Sequence, residues 1–332
     1  MNTGSIVDKA LDDGVLTSDE LAALFEVSLF SDESGRILAA GRRKAIEATE
    51  GKAEVHAQVG LNVAKCPRNC KFCSFAACND VFEQESELTV EEAVVRARNA
   101  EAAGANAIYL MVTAQYPFGK FLEVASEVRA ALKPATPMLA NVGDFTLEEG
   151  EQLREAGFAG VYHALRLGEG RDTGISPKAR LETLNNAHEA GLTLGTCLEP
   201  VGPEHTIGEL VEKTLVTRDA RPAYSGSARR IPIPGTEMAE LGIVSKARMA
   251  HIVAVVRLAL PRSTPGNCTH EPDVYGAAAG ASLLWAEAGA NPRDTDAQTE
   301  GKHGMTTDVC RALLEEAGWD VLDGPSRWHG AR

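Results

Sequence analysis

Cys66, Cys70 and Cys73 stand as C-x3-C-x2-C within NVAKCPRNCKFCSFAACND (residues 62–80), a stretch that also holds Cys78. Three thiolates at this spacing in one loop can wrap one corner of a cubane iron–sulfur cluster. A cluster that only carries electrons takes four cysteine ligands. Three leave one iron open, and an open iron can bind a small molecule. The competing ion is zinc, but cysteine zinc sites usually pair two C-x2–4-C half-sites, and the chain has no second half-site. Pro67, Arg68, Asn69 and Lys71 between the thiols argue against three structural core cysteines. The chain has seven cysteines, an odd number. Clustered thiols of that kind point to metal binding or redox chemistry in the cytoplasm rather than to a disulfide framework.

The elements that must carry this loop follow from periodicity. Thr89-x-x-Glu92, Thr146-x-x-Glu149 and Thr206-x-x-Glu209 are capping boxes that start helices. Ser176-Pro177 places a cap before a proline at the first helical position. Ser245 precedes KARMAHIVAVVRLAL, whose apolar spacing is helical. Short apolar runs lie between the helices: AIYLMVT (107–113), PMLANVG (137–143), GVYHALRL (160–167), LTLGTCLEPVG (192–202) and ASLLWAE (281–287). VGLNVAKC and AYSGSARRIPI add two more candidates. Repeating β-α units about 25–35 residues long predict an α/β fold, a TIM-type (β/α) barrel, complete or partial. The alternative is an open doubly wound sheet, but no glycine fingerprint for a dinucleotide follows the first strand. Residues 1–54 read as an amphipathic helical extension, 55–290 as the barrel, and 291–332 as a tail with one helix packing on it. Apolar residues make up 44%, enough for a large core, and the formal net charge of −14 argues against a nucleic-acid or anionic-membrane partner. No apolar window is long enough to span a bilayer, and the acidic N-terminus lacks a secretory apolar core.

With Phe72 just before the third cysteine, GLNVAKCPRNCKFCSF resembles the radical S-adenosylmethionine enzymes. The resemblance covers about residues 20–290. RLETLNNAHEAGLTLGTCLEPVGPEHT makes it most similar to the biotin synthase-like group, with biotin synthase, methylornithine synthase and the maturase of iron-only hydrogenase. It implies a [4Fe-4S] cluster on Cys66, Cys70 and Cys73 whose open iron chelates S-adenosylmethionine. One electron, from a donor such as flavodoxin or ferredoxin, would cleave that cofactor to methionine and a 5'-deoxyadenosyl radical, which takes a hydrogen atom from a small-molecule or carrier-bound substrate. Phe72, Thr113, Arg166, Glu169, Arg180, Val201 and Gly202 fall where relatives contact the cofactor. Arg180 suits its carboxylate, or else is a solvated helix arginine. Val201 and Gly202 would face the adenine.

Other residues leave alternatives open. His163 is a satisfied core histidine or a catalytic one. Arg229 and Arg230 clamp an acidic substrate group or make surface ion pairs. Biotin synthase holds a second, sulfur-donating cluster with further barrel cysteines. Here the second and third visible strands lack them, but Cys197 lies in a strand, Cys268 in the loop-like stretch TPGNCTHEP, and Cys310 on the tail helix. The leading expectation is an enzyme that inserts sulfur into an unactivated C–H bond, with a second cluster on Cys197, Cys268 and Cys310 as the sulfur donor. Inert buried thiols would leave a radical mutase or cofactor-maturation enzyme, and a noncatalytic metal-binding protein is the third reading.

Overall fold

The computed structural model describes residues 2–329. Eight parallel strands form a closed barrel: β1 (Lys52–Gly60), β2 (Ala107–Met111), β3 (Met138–Asn141), β4 (Phe158–Tyr162), β5 (Thr193–Gly195), β6 (Tyr224–Arg229), β7 (Gly266–Thr269) and β8 (Leu283–Gly289). Each strand pairs with the next, and β8 closes on β1 from Glu54 opposite Leu283 to Gly60 opposite Gly289. The barrel is therefore complete, and the open sheet is excluded. β5 is short, and the chain resumes pairing with β6 at Leu198–Val201.

Alternation along each strand separates two cores. In β1, Val55, Ala57 and Val59 face the helix layer, whereas Glu54, His56 and Gln58 point into the barrel. The helices following the strands include α4 (Val90–Ala102), α5 (Phe118–Ala131), α6 (Leu147–Glu155), α7 (Pro177–Glu189), α8 (Ile207–Asp219) and α9 (Lys246–Ala259), with a short α10 (Val274–Ala278). The boxes at Thr89, Thr146 and Thr206 each make both reciprocal bonds. At the N-terminus, α1 (Thr3–Leu11), α2 (Ser18–Phe25) and α3 (Asp32–Thr49) pack their apolar faces against α8 and α9.

Two stretches differ from the sequence expectation. The first strand lies at Lys52–Gly60 and overlaps the expected VGLNVAKC only at Val59 and Gly60; beyond them Asn62–Val63 pairs briefly with Ser86–Glu87. The loop-like GNCT is β7, because pairing with both β6 and β8 outweighs its weak strand propensity.

The tail does more than pack a helix on the wall. Helix α11 (Thr307–Glu316) covers β8, then Asp320–Val321 pairs with the start of β1. Residues 326–329 enter the N-terminal end of the barrel. Ser326 N–H donates to the Asn106 carbonyl at 2.7 Å, and His329 Nδ1 lies 2.7 Å from Thr193 Oγ1. Trp328 is buried beside Tyr224 and Gly266, where a β-carbon on Gly266 would stand 2.7 Å from its ring. Trp328→Ala should lower unfolding free energy by about 3–5 kcal/mol, the usual cost of emptying a core aromatic site. Denaturant titration checks it, and a loss under 1 kcal/mol would mean that the tail is not part of the barrel core.

Candidate active site

The C-terminal ends of the strands enclose a cavity of about 200 Å³, the face on which barrels of this kind carry their chemistry. The cysteine loop roofs it. Cys66 N–H donates to the Phe75 carbonyl at 2.7 Å, Cys73 N–H to Cys70 at 2.9 Å, and the Asn79 amide to the Cys73 carbonyl at 2.8 Å. The loop then ties across the mouth. Lys71 N–H reaches the Asp172 carbonyl, the Arg68 carbonyl receives Gly174 N–H, and Ser74 N–H reaches the Pro292 carbonyl. Cys66, Cys70, Phe72 and Cys73 all line the cavity. Burial pushes the Cys70 thiol up to about 11; burial and then the neighbouring Cys70 push Cys73 up to about 12. Thiols so placed stay protonated unless a cation compensates them, so the donor set fits a cationic iron cluster. Among the described residues no three His, Cys, Asp or Glu side chains converge on one ion. A cluster does not need that convergence, because each thiolate binds a different iron.

A first polar network stands beside the loop, on the β3–β5 side. Arg180, at the start of α7, lies 3.2 Å from both Glu169 and Asp144 and 3.0 Å from His163 Nε2. That same nitrogen is 3.1 Å from Asp144 Oδ1, so His163 either donates to the carboxylate or accepts from the guanidinium. Arg166 Nε is 3.3 Å from Glu199. Burial alone would depress Arg166, but Glu199 and Glu169 outweigh it and hold its pKa above the ordinary value. Arg166, Arg180, His163 and Thr113 face the cavity, with Glu169 buried behind them. Asn62 fixes Thr113 twice, through its amide nitrogen to Oγ1 at 2.8 Å and its carbonyl to the Thr113 N–H at 3.0 Å.

Val201 and Gly202 are not in the cavity wall. Val201 packs among the outer helices and Gly202 N–H binds His205 Nδ1, while Glu199 and Pro200 face the cavity instead. The shift follows from strand alternation after the break between β5 and Leu198. Cys197 and Cys268 do meet, with sulfurs 2.9 Å apart inside the barrel, walled by Tyr109, Tyr162, Tyr224 and Trp285. Cys310 does not join them: on α11 it packs in the outer helix–sheet layer and its thiol donates to the Trp285 carbonyl at 3.2 Å. Cys78 is exposed.

A second network, on the β6–β8 side, is largely unforeseen in the sequence. Arg229 pairs with Glu271, Arg293 with Glu287, and His303 lies 3.1 Å from Glu271. His270 Nε2 is 3.4 Å from Glu287. Arg230 is spent internally, gripping Glu204 with two nitrogens and the Met238 carbonyl with a third. Gln58 and Asn141 join side chain to side chain at 2.7 Å and also line the cavity. Gln58 and Glu287 had a legible signal: Gln58 lies on the polar, inward period of the alternating strand β1, and Glu287 on the inward period of the otherwise apolar β8.

His163 makes the first network acid-sensitive. Burial, only partly offset by Asp144, lowers its pKa from 6.5 to about 4. Between these values the unfolded chain binds the extra proton, so stability falls as pH falls from 6.5 toward 4. At about 1.4 kcal/mol per tenfold change in proton affinity the loss is about 3 kcal/mol. His163→Gln should flatten that part of the stability–pH curve, and urea titrations at pH 7, 5.5 and 4.5 check it.

A family model described as the radical SAM superfamily matches residues 63–213. Biotin synthase of Haemophilus ducreyi is 28% identical over 62% of this chain, and the match spans 64% of its length, slightly under two thirds. That of Acidothermus cellulolyticus is 25% identical over 77% of this chain and 78% of its own. Among solved structures, the FeFe-hydrogenase maturase HydG from Carboxydothermus hydrogenoformans matches 98% of this chain and 80% of its own, with a TM-score of 0.80. Methylornithine synthase (PylB) matches 97% and 98% with 0.79. Both are 18% identical and speak to the fold. The three-cysteine loop and these likenesses agree: over residues 63–213 the chain is similar to the radical S-adenosylmethionine superfamily, and its curated relatives at 25–28% identity are biotin synthases.

Proposed function

We propose that Cys66, Cys70 and Cys73 hold a [4Fe-4S] cluster with an open iron for S-adenosylmethionine, and that the chain acts by radical chemistry on a small molecule in the barrel mouth. The observation that carries this reading is the convergence of the three thiols, Arg166, Arg180 and Thr113 on one cavity. The bound cluster and S-adenosylmethionine, with an electron from a donor such as flavodoxin or ferredoxin, supply a 5'-deoxyadenosyl radical for hydrogen abstraction. The chain's own residues bind and orient. Arg180, held through Nε by Glu169 and through Nη1 by Asp144, keeps Nη2 for the methionine carboxylate. Thr113, fixed by Asn62, borders the methionine moiety, and Glu199 and Pro200 take the adenine-side place that Val201 and Gly202 leave. Phe72 and the roof loop exclude water.

We infer further that no sulfur-donating second cluster takes part, which favours a radical rearrangement or fragmentation over sulfur insertion. The observation favouring this is the packing around Cys197 and Cys268: two sulfurs already 2.9 Å apart, closed in by four aromatic rings, with Cys310 on the far side of the wall. A sulfur-inserting reaction remains the reading to beat, because it is the one the biotin synthase likeness suggests.

Iron analysis after anaerobic reconstitution tests both statements. The wild type should hold about four irons, the size of one cubane, and the Cys197→Ala, Cys268→Ala variant should hold as many. Replacing Cys66, Cys70 and Cys73 together should remove the iron and all 5'-deoxyadenosine formation. About eight irons in the wild type, falling to about four in the double variant, would restore sulfur insertion. Retained 5'-deoxyadenosine formation in the triple variant would sink the assignment of the cluster. Prepared in air and assayed without strong reductant, the protein should be bleached and inactive; full turnover under those conditions would exclude the mechanism.

A further inference from the structure

In the reading above, Cys197 and Cys268 hold neither the cluster nor S-adenosylmethionine. We propose that they are a reversible disulfide pair: a peroxide that enters the cavity joins their sulfurs and staples β7 to the gap that follows β5. The inference rests on the reading that leaves both thiols free of iron, and it adds a site of oxidative modification.

The two sulfurs lie 2.9 Å apart, and each is the other's only hydrogen-bond partner among the described residues. Cys197 is 1% exposed and Cys268 0%. Cys310, by contrast, is a single thiol satisfied by the Trp285 carbonyl. The backbone treats the two partners differently. Cys268 is pinned in β7 between Gly226 of β6 and Leu283 of β8, and a β-carbon on Gly226 would stand 2.1 Å from the Cys268 carbonyl oxygen. Cys197 lies where the ladder lapses: Gly195 pairs with Tyr224, and pairing resumes only at Leu198 opposite Ser227. A sulfur on that looser segment can cover the remaining distance of about 1 Å to a disulfide bond length of about 2 Å. Glu199, two residues past Cys197, and His270, two past Cys268, line the cavity. The pair therefore lies one layer beneath its floor.

The step balances with hydrogen peroxide alone. One sulfur attacks the O–O bond and becomes a sulfenic acid as one water leaves. The other sulfur displaces the sulfenic oxygen as a second water, and the S–S bond forms. Two thiol hydrogens and two electrons thus pass to the peroxide. A small dithiol breaks the bond again by exchange. Burial pushes the Cys197 thiol well above its ordinary pKa, so the attacking thiolate is rare and the pair answers sustained exposure rather than a brief one. The neighbouring thiol at 2.9 Å then intercepts the sulfenic acid before further oxidation. The bond joins positions 71 apart in the chain. A disulfide stabilises chiefly by restricting the unfolded chain, and more so for longer loops.

The test uses the full-length wild-type chain free of iron, with hydrogen peroxide as the probe. After timed exposure the protein is quenched in acid, alkylated under denaturing conditions, digested and mapped by mass spectrometry. The Cys197 and Cys268 peptides should appear joined, with two hydrogens lost, and a small dithiol should release them. Cys310 should stay a free thiol. The joined form should unfold at a higher temperature than the reduced form, and Cys197→Ser and Cys268→Ser should show no such rise. Three results overturn the pair: both thiols recovered free after the exposed Cys78 has been consumed, either one carried on to a sulfinic acid, or a joined form that unfolds at a lower temperature. The wild-type map decides even if a variant fails to fold. About eight irons in the reconstituted protein would instead count against the reading that leaves both thiols free, since joining is scored without iron and holds or fails by itself.

Discussion

The site depends on the seam where β8 closes on β1. Gly60 and Gly289 face each other there, and the backbones approach so closely that a β-carbon on Gly60 would stand 1.8 Å from the Ala290 carbonyl oxygen. Gly289 has φ of 73°, a left-handed conformation that favours glycine. Two loops leave this seam side by side. One carries Cys66, Cys70 and Cys73, and the other carries Asn291 and Arg293. The bond from Ser74 N–H to the Pro292 carbonyl holds them together. Closing the barrel therefore also brings the thiols and the β6–β8 network to a common cavity.

The electrostatics of that cavity run opposite to those of the whole chain. The protein carries a net charge of −14, yet among the described residues six arginines and two carboxylates, Glu199 and Glu287, line the mouth. Burying guanidiniums is costly unless carboxylates accompany them, and the fold supplies these mostly from behind the wall: Glu169 and Asp144 for Arg180, Glu271 for Arg229, Glu204 for Arg230. The result is a pocket whose free valences are largely donors, suited to anionic ligands.

Below the mouth the barrel is filled. Tyr109, Tyr162, Tyr224 and Trp285 surround the Cys197–Cys268 pair, and the C-terminal Trp328 and His329 close the far end. His56 and Glu54 pair at 2.8 Å in the same region. This interior positions the strands; the ligand-accessible volume lies above it. Cys197 and Cys268 take inward-facing strand positions, and the neighbouring inward positions hold the large aromatic rings that pack around them.

Much of the architecture was legible in the chain itself. Capping boxes at Thr89, Thr146 and Thr206 act within four residues, so their helices could be read locally. The C-x3-C-x2-C spacing identified the loop and carried the resemblance to the radical S-adenosylmethionine enzymes. Inward-facing Gln58 and Glu287 could have been found from the period-two pattern of their strands. Other features depend on contacts far apart in sequence. β7 is a strand because β6 and β8 flank it, Val201 turns outward because β5 breaks before Leu198, and Arg229 and Arg293, 64 positions apart, share one network only after the barrel closes. Short-range hydrogen bonds and motif spacing are written in neighbouring residues, so the sequence by itself determined the helices, the repeating units and the three-thiol loop. Strand register, the side of the wall each cysteine takes and the partners of each arginine depend on long-range packing, and only the tertiary structure decided them.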